Sequence, residues 1–185
     1  MCKRIEYFIN QLVKLFLSPI KYARHLGVKV GDNTLIADKR HWSSEAYLVS
    51  IGNNCDITVG VKIHTHGGGR ILRSSIADYD SFGKVRIGNN CYIGAFSQIM
   101  PGVTIEDNVL VAAGSVITKS VPSGYVVGGN PARIICTTAS FIERNSKYNL
   151  HSKGMSQKEK RQFLLSLPDN KFMVKPFLKV LDDKK

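Results

Sequence analysis

Residues 87–121 read IGNNCYIGAFSQIMPGVTIEDNVLVAAGSVITKSV, and an aliphatic residue returns at every sixth position. The residues on this beat are Ile87, Ile93, Ile99, Ile105, Val111 and Ile117. Four positions after each comes a small or apolar residue: Cys91, Ser97, Val103, Val109, Ser115 and Val121. A period of six matches neither the α-helix nor simple strand alternation. It predicts a left-handed parallel β-helix, in which three short strands make a turn of about eighteen residues and inward side chains stack about 4.8 Å apart.

The same beat is present earlier in the chain with less regularity. One phase holds Val30, Ile36, Trp42 and Leu48, and a second phase holds Ile51, Ile57 and Ile63. Residues 64–86 keep no phase and are predicted to form a long loop leaving the coil, the kind of segment that carries function on a rigid scaffold. The predicted organisation is an all-β core with helical appendages: an amphipathic helical segment over 1–27, the β-helix over 28–135 and a basic helical segment over 136–185.

The net charge of +12 is concentrated at the two ends of the chain. Residues 1–30 have six Lys and Arg against one acid, residues 136–185 have eleven against five, and residues 31–135 between them have nine against eight. No nucleic-acid-binding motif accompanies this charge, so a nucleic-acid partner is not expected. The basic ends fit solvated helices, attraction of phosphate-bearing cofactors or anionic substrates, or contact with an acidic membrane surface.

The segment from residue 5 to residue 17 is apolar along one helical stripe. It is too short to span a bilayer and no small-residue cleavage site follows it, so neither a transmembrane helix nor a signal peptide is expected. The stripe could pack on the coil or a neighbouring subunit, or make peripheral contact with a membrane. Cysteines at 2, 55, 91 and 136 form no CxxC pair, which favours a reducing, cytoplasmic location and buried structural thiols.

The sequence His64-Thr65-His66-Gly67-Gly68-Gly69 stands where the long loop begins. A histidine at the root of a glycine-rich loop suits a general base, because its ordinary pKa near 6.5 allows proton uptake at neutral pH. From local sequence alone, His66 is the candidate base and a structural histidine is the alternative.

The chain resembles the hexapeptide-repeat acyltransferases, in particular the maltose/galactoside O-acetyltransferase group and its relatives in surface-polysaccharide synthesis. The resemblance covers residues 17–135, and it rests on the motifs Ser44-Glu45-Ala46-Tyr47-Leu48, Thr65-His66-Gly67-Gly68, Phe82-Gly83, Pro101-Gly102-Val103-Thr104-Ile105, Ala113-Gly114-Ser115-Val116 and Gly129-Asn130-Pro131-Ala132-Arg133.

This resemblance implies an acetyl-CoA-dependent transferase that is a homotrimer, acts on a carbohydrate hydroxyl and requires no metal. It implies His66 as the catalytic base and Glu45 as a residue that binds the acceptor or orients His66, with a surface or capping carboxylate as the alternative for Glu45. Cofactor contacts are implied for Ala95, Ala113, Thr118, Lys119 and Arg133. Gly67 stands where many relatives have Asp.

Other functions remain open from the sequence. The acceptor could be an amino sugar or a small antibiotic, with the same base performing N-acetylation. A zinc enzyme of the γ-carbonic anhydrase type would need a third histidine at a comparable coil position, and His25, His41 and His151 do not supply one. A trimeric β-helix scaffold without catalytic activity is a further alternative.

Overall fold

The computed structural model describes Val13 and residues 15–178. Its thirteen strands, most of them two residues long, are β1 Lys29–Val30, β2 Leu35–Ile36, β3 Val49–Ile51, β4 Asp56–Ile57, β5 Lys62–Ile63, β6 Val85–Ile87, β7 Tyr92–Ile93, β8 Gln98–Ile99, β9 Thr104–Ile105, β10 Leu110–Val111, β11 Val116–Ile117, β12 Tyr125–Gly129 and β13 Ala132–Thr137. The helices are α1 Pro19–His25, α2 Gly69–Leu72, α3 Thr138–Ser146 and α4 Gln157–Ser166, with 3-10 turns at Ala46–Leu48 and Asp169–Lys171.

Successive strands pass in rotation to three sheets, ordered β1-β3-β6-β9, β2-β4-β7-β10-β12-β13 and β5-β8-β11. Every pairing between strands of different turns is parallel. This is the connectivity of a coil with three strands per turn, as the six-residue beat predicts. The six beat residues and the six small residues that follow them are all buried, so side chains from all three sheets fill one core.

The length of a turn is read from residues that pair across neighbouring turns. Ile87 pairs with Ile105, and Ile99 pairs with Ile117, both at the regular spacing of 18 positions.

 Ile93 pairs with Val111 at this same spacing. Two turns are longer: Val30 pairs with Ile51, 21 positions on, and Ile51 pairs with Ile87, 36 positions on. The chain therefore contains one short insertion and one long insertion in an otherwise regular coil.

The short insertion explains the change of phase seen in the sequence. Val30, Ile36 and Trp42 pair with Ile51, Ile57 and Ile63, one pair on each of the three faces of the coil. Leu48, which the beat also predicts to point inward, instead ends the 3-10 turn and is only half-buried. Ala46 and Val49 are buried in its place. Side chains on a 3-10 turn do not alternate between two faces as they do on a strand, so different positions point inward.

A polar ladder supports one corner of the coil. The side-chain Oδ1 of Asn53 accepts the backbone N–H of Asp32 at 2.7 Å, Asn89 accepts that of Asn53 at 2.9 Å, and Asp107 accepts that of Asn89 at 2.7 Å. The residue after each of these, and Asn33 below them, is an asparagine with positive φ, a backbone conformation that asparagine tolerates better than most residues. The repeated Gly-Asn-Asn of the sequence is thus a corner motif.

The coil ends in a hairpin. β12 pairs in parallel with β10 and antiparallel with β13, and the sequence Gly129-Asn130-Pro131 lies at the turn between β12 and β13. Buried Cys55 and Cys91 are free thiols, as the sequence predicts.

Residues 1–141 and 142–185 form two compact units. In the second unit, α4 begins with a capping box in which Ser156 and Glu159 bond each other's backbone N–H groups, an arrangement that satisfies donors at a helix start. The predicted amphipathic segment 5–17 lies largely outside the described residues. None of the helices in the part of the chain that is described has the length and apolar content needed to cross a bilayer.

Candidate active site

The short insertion brings a carboxylate to the coil surface. Glu45 comes three residues after Trp42, which pairs with Ile63 of the next turn, and immediately before the 3-10 turn. Buried Ala46 anchors that turn in the core. Glu45 is therefore held on a fixed backbone rather than at the tip of a mobile loop.

The long insertion brings a histidine beside that carboxylate. Thr65, just after β5, is fully buried, and its carbonyl accepts the N–H of Gly83 at 2.7 Å. His66 forms an antiparallel bridge with Phe82, so the outgoing and returning arms of the loop are tied together at its base. Gly68 then has a φ of 72°, a conformation that favours glycine, where the chain turns into α2. His66 thus lies at the root of the loop, as the sequence predicts.

Glu45 and His66 form a close pair. The His66 Nδ1 lies 2.6 Å from the Glu45 Oε2, and the side chains are 39% and 21% exposed. A carboxylate only accepts hydrogen bonds, so Nδ1 is the protonated nitrogen in the neutral ring and Nε2 keeps the lone pair. The ring also meets the Phe82 ring edge-on, with centroids 5.7 Å apart. The imidazole is consequently fixed in both orientation and tautomer.

Partial burial and hydrogen bonds act in opposite directions on Glu45. Desolvation raises the pKa of its carboxyl group, while hydrogen bonds from Ser44 and His66, and the charge of His66, lower it; the net result is a pKa below the ordinary value. Glu45 is therefore ionised at neutral pH, the state that can orient a histidine and stabilise its protonated form.

An open cleft of about 460 Å³ surrounds this pair. Its walls combine a carboxylate, an imidazole, a phenyl ring and a glycine-rich backbone with polar groups from the loop. The Arg73 Nε donates to the Tyr79 carbonyl at 2.8 Å, and its Nη2 lies 3.5 Å from the Asp80 Oδ1. The lining residues are Glu45, His66, Gly67, Gly68, Gly69, Arg73, Asp80, Ser81 and Phe82.

His64, the other histidine of the motif, does not line this cleft. Its Nε2 lies 3.1 Å from the Gln98 Oε1, across to the neighbouring turn. His66 and Glu45, named from sequence, are thus brought together, and His64 is left outside. Whether Glu45 also meets an acceptor stays a prediction.

Only two of the five residues predicted to contact a cofactor line the same cleft. Lys119 and Arg133 line a second cleft of about 430 Å³, in which Thr118 is not a lining residue. Ala95 and Ala113 lie at one corner of neighbouring turns, where the Gly114 N–H donates to the Ala95 carbonyl at 2.8 Å. The second cleft offers two cations and an apolar wall, a combination suited to a phosphate-bearing ligand.

Several residues of the site carry no role in the sequence analysis. Ser43 and Thr65 contact one another beneath Glu45, Phe82 packs on His66, and Arg73 and Asp80 close the loop. Phe82-Gly83 is one of the motifs on which the family resemblance rests, so the sequence offered a reason to place Phe82 at the site. Arg73 and Asp80 lie in a loop with no period, so only the folded chain brings them to the cleft.

The described residues do not form a metal site. Within Val13 and residues 15–178, no group of three or more His, Cys, Asp or Glu side chains is arranged to hold a metal ion. His41 is buried, with Nδ1 2.8 Å from the Val61 carbonyl oxygen. Burial lowers its pKa, as for a histidine in a structural role.

Comparison with known proteins agrees with the coil and its repeat. The family described as "Bacterial transferase hexapeptide (six repeats)" matches residues 84–119. Protein CapG of Staphylococcus aureus is 43% identical over 159 residues, which cover 84% of this chain and 92% of CapG. Galactoside O-acetyltransferase of Escherichia coli is 35% identical over 119 residues, covering 63% of this chain and 57% of that enzyme.

A solved structure supports the same fold. A galactoside acetyltransferase in complex with coenzyme A aligns with a TM-score of 0.50 at 21% identity, over 77% of this chain and 86% of that one. The sequence match to CapG extends over nearly the whole length of that protein.

 The chain therefore belongs to the hexapeptide-repeat acyltransferase family.

Proposed function

We propose that this protein transfers the acetyl group of acetyl-CoA to a hydroxyl group of a carbohydrate acceptor in surface-polysaccharide synthesis. The observation that carries the proposal is the contact of 2.6 Å between His66 Nδ1 and Glu45 Oε2 in an open cleft. Membership of the family and the names of two relatives, Protein CapG and a galactoside O-acetyltransferase, support the reaction and the class of acceptor.

In the proposed reaction His66 is the general base. Its Nε2 takes the proton of the acceptor hydroxyl while the hydroxyl oxygen attacks the thioester carbonyl carbon. Glu45 stabilises the imidazolium that forms. The carbon–sulfur bond then breaks, and the coenzyme A thiolate leaves and takes up the proton. Backbone N–H groups of the glycine-lined wall are suited to hold the oxyanion between these events.

The donor is proposed to lie along the coil towards its C-terminal end. Arg133 and Lys119 would meet the phosphates of the nucleotide, since guanidinium and ammonium groups form charge-assisted bonds to phosphate. Ala95 and Ala113 would border the pantetheine arm, because small side chains let a narrow chain approach the backbone, and Thr118 would lie beside it. Residues 119 and 133 line one cleft in this chain, which supports the assignment.

The assembly and setting are part of the proposal. We infer a left-handed coil and a homotrimer, in which a face of each coil is covered by a neighbour. The two clefts share no lining residue within one chain, so a donor held between subunits is a reasonable route to His66. The cysteine pattern supports a cytoplasmic reaction, and peripheral membrane contact through residues 5–17 would serve a lipid-linked acceptor.

The test is release of free coenzyme A from acetyl-CoA in the presence of neutral, acidic and amino sugars. His66→Ala should lower turnover by about 10²- to 10⁴-fold, the range for loss of a general base, with little change in acetyl-CoA binding. His64→Ala, the neighbouring histidine outside the cleft, is the matched control and should keep wild-type turnover. Normal turnover by His66→Ala would overturn the mechanism, and turnover only with amino sugars would overturn O-acetylation.

A further inference from the structure

Two hydroxyl groups, those of Ser43 and Thr65, lie next to Glu45, and neither residue lines the open cleft. The Ser43 Oγ accepts the Thr65 N–H at 3.1 Å and lies 2.7 Å from the Thr65 Oγ1. The Thr65 Oγ1 lies 3.4 Å from the Glu45 Oε2, the same oxygen that contacts His66. Thr65 is fully buried, so water cannot replace its hydroxyl without a rearrangement.

The direction of these hydrogen bonds follows from the chemistry of the groups. An ionised carboxylate has no hydrogen to give, so Thr65 must donate to Glu45. The Thr65 oxygen is then free to accept, and Ser43 donates to it. The same Glu45 oxygen thus accepts a hydrogen bond from Thr65 and lies 2.6 Å from the His66 Nδ1. The hydrogen bonds run in one direction, from Ser43 through Thr65 to Glu45.

We infer that Thr65, backed by Ser43, is a positioning residue of the transfer reaction, which fixes the Glu45 carboxylate where it orients His66. This inference rests on the proposed function of His66. Thr65 directly precedes His66, so its backbone places the histidine while its hydroxyl places the histidine's partner. One buried residue therefore contributes to the placement of both members of the pair.

The role has a defined place in the reaction. When His66 takes the acceptor proton, the ring becomes cationic and the Glu45 carboxylate must stay in line with Nδ1. Without the Thr65 donor, the carboxylate keeps the hydrogen bond from Ser44 and the contact with His66. It is held less firmly, and it can rotate towards solvent more readily because Glu45 is partly exposed. The loss should therefore affect the rate of transfer and leave the binding of either substrate nearly unchanged.

The experiment compares Thr65→Val with Thr65→Ser in the full-length protein. Thr65→Val keeps the shape of the side chain and removes the hydroxyl; kcat should fall about tenfold, in keeping with loss of one hydrogen bond to a charged group, with each KM within about twofold. Thr65→Ser restores the donor and should return kcat to within about threefold of wild type. Thr34→Val is the matched control, because Thr34 is also a buried threonine, bonded to the Gly52 carbonyl at 2.8 Å and outside the cleft.

A second measurement separates positioning from a general loss of stability. In a Glu45→Ala background the hydroxyl has no carboxylate to hold, so adding Thr65→Val should change kcat less than twofold. A full tenfold loss in that background, an unchanged kcat for Thr65→Val alone, or a serine variant as slow as the valine variant would each overturn the inference. Wild-type turnover by His66→Ala would instead overturn the proposed function on which it rests.

Discussion

The coil has two regions: the turns that follow β6 are regular, and the turns before it are interrupted by insertions. The two regions are built from similar short strands but differ in what they contribute to the molecule. In the regular part, residues 18 positions apart stack directly, and the inward side chains form a continuous core. In the interrupted part, a 3-10 turn and a long loop leave the coil at neighbouring heights and bring Glu45 and His66 within 2.6 Å. The regular repeat provides a rigid frame, and the two insertions carry the candidate active site.

The first prediction concerns the regular part, where the expected effect is largest. Ile99 is fully buried between Ile63 and Ile117, so Ile99→Ala should lower the free energy of unfolding by about 2–5 kcal/mol. Urea unfolding followed by circular dichroism measures this. Leu35→Ala, at a side chain 68% exposed, is the control and should change stability little. Equal losses at the two positions would contradict the assignment of an inward row.

The second prediction concerns the interrupted part. Glu45→Gln keeps the shape of the side chain and removes its charge, so kcat should fall by about ten- to a hundredfold because the imidazolium loses its partner. Steady-state kinetics on the purified variant measures this, and unfolding by urea should show only a small change at neutral pH. A large loss of stability with normal turnover would show instead that Glu45 stabilises the fold and does not take part in the reaction.

The pH dependence of that variant gives a further check. The pKa of Glu45 is below its ordinary value in the folded protein, so the ionised carboxylate stabilises the fold above the ordinary pKa of about 4.3. That contribution is lost as pH falls through the lowered pKa. The stability gap between wild type and Glu45→Gln should therefore be present at pH 6 and close on acidification; a gap that widens in acid would contradict the direction of the shift.

The third prediction concerns the second cleft. Arg133→Ala should weaken acetyl-CoA binding about tenfold, because a charge-assisted contact to phosphate is lost. Calorimetric titration of the purified protein measures the affinity. Arg86→Ala, a cation on β6 outside both clefts, is the control and should bind as wild type does. Equal affinities for the Arg133 variant and wild type would remove Arg133 from the donor site.

The smallest effect is expected at Gly67, where the family resemblance places an aspartate. A Cβ added at Gly67 would meet no atom within 4 Å, so Gly67→Asp should change the free energy of unfolding by less than about 0.5 kcal/mol. Turnover should stay within about threefold, because Glu45 already contacts the Nδ1 of His66. A tenfold gain in kcat would show instead that Glu45 replaces the aspartate only in part.

Much of the frame could be predicted from residues 87–121 alone, because a strict period leaves one way to stack the inward side chains. The phase change at Leu48 could not be resolved, since a 3-10 turn of three residues has no signature in a six-residue beat. His66 was identifiable from its place at the loop root together with the resemblance. The contacts of Thr65 and Arg73 could not be predicted, because they depend on how a loop without period folds back.

The hydrogen bond between the Gly83 N–H and the Thr65 carbonyl has an engineering consequence. It joins the two ends of the excursion at one point, and a Cβ on Gly83 would overlap the backbone of Gly102 in the next turn, which anchors the closing end. The stability of the coil therefore depends little on how many residues lie between these ends. Doubling that number would cost only about 0.6 kcal/mol in loop-closure entropy. The part of this segment between His66 and Phe82 is an exchangeable cassette, and on the proposed function its replacement would alter acceptor preference while the His66–Glu45 pair and the scaffold stay in place.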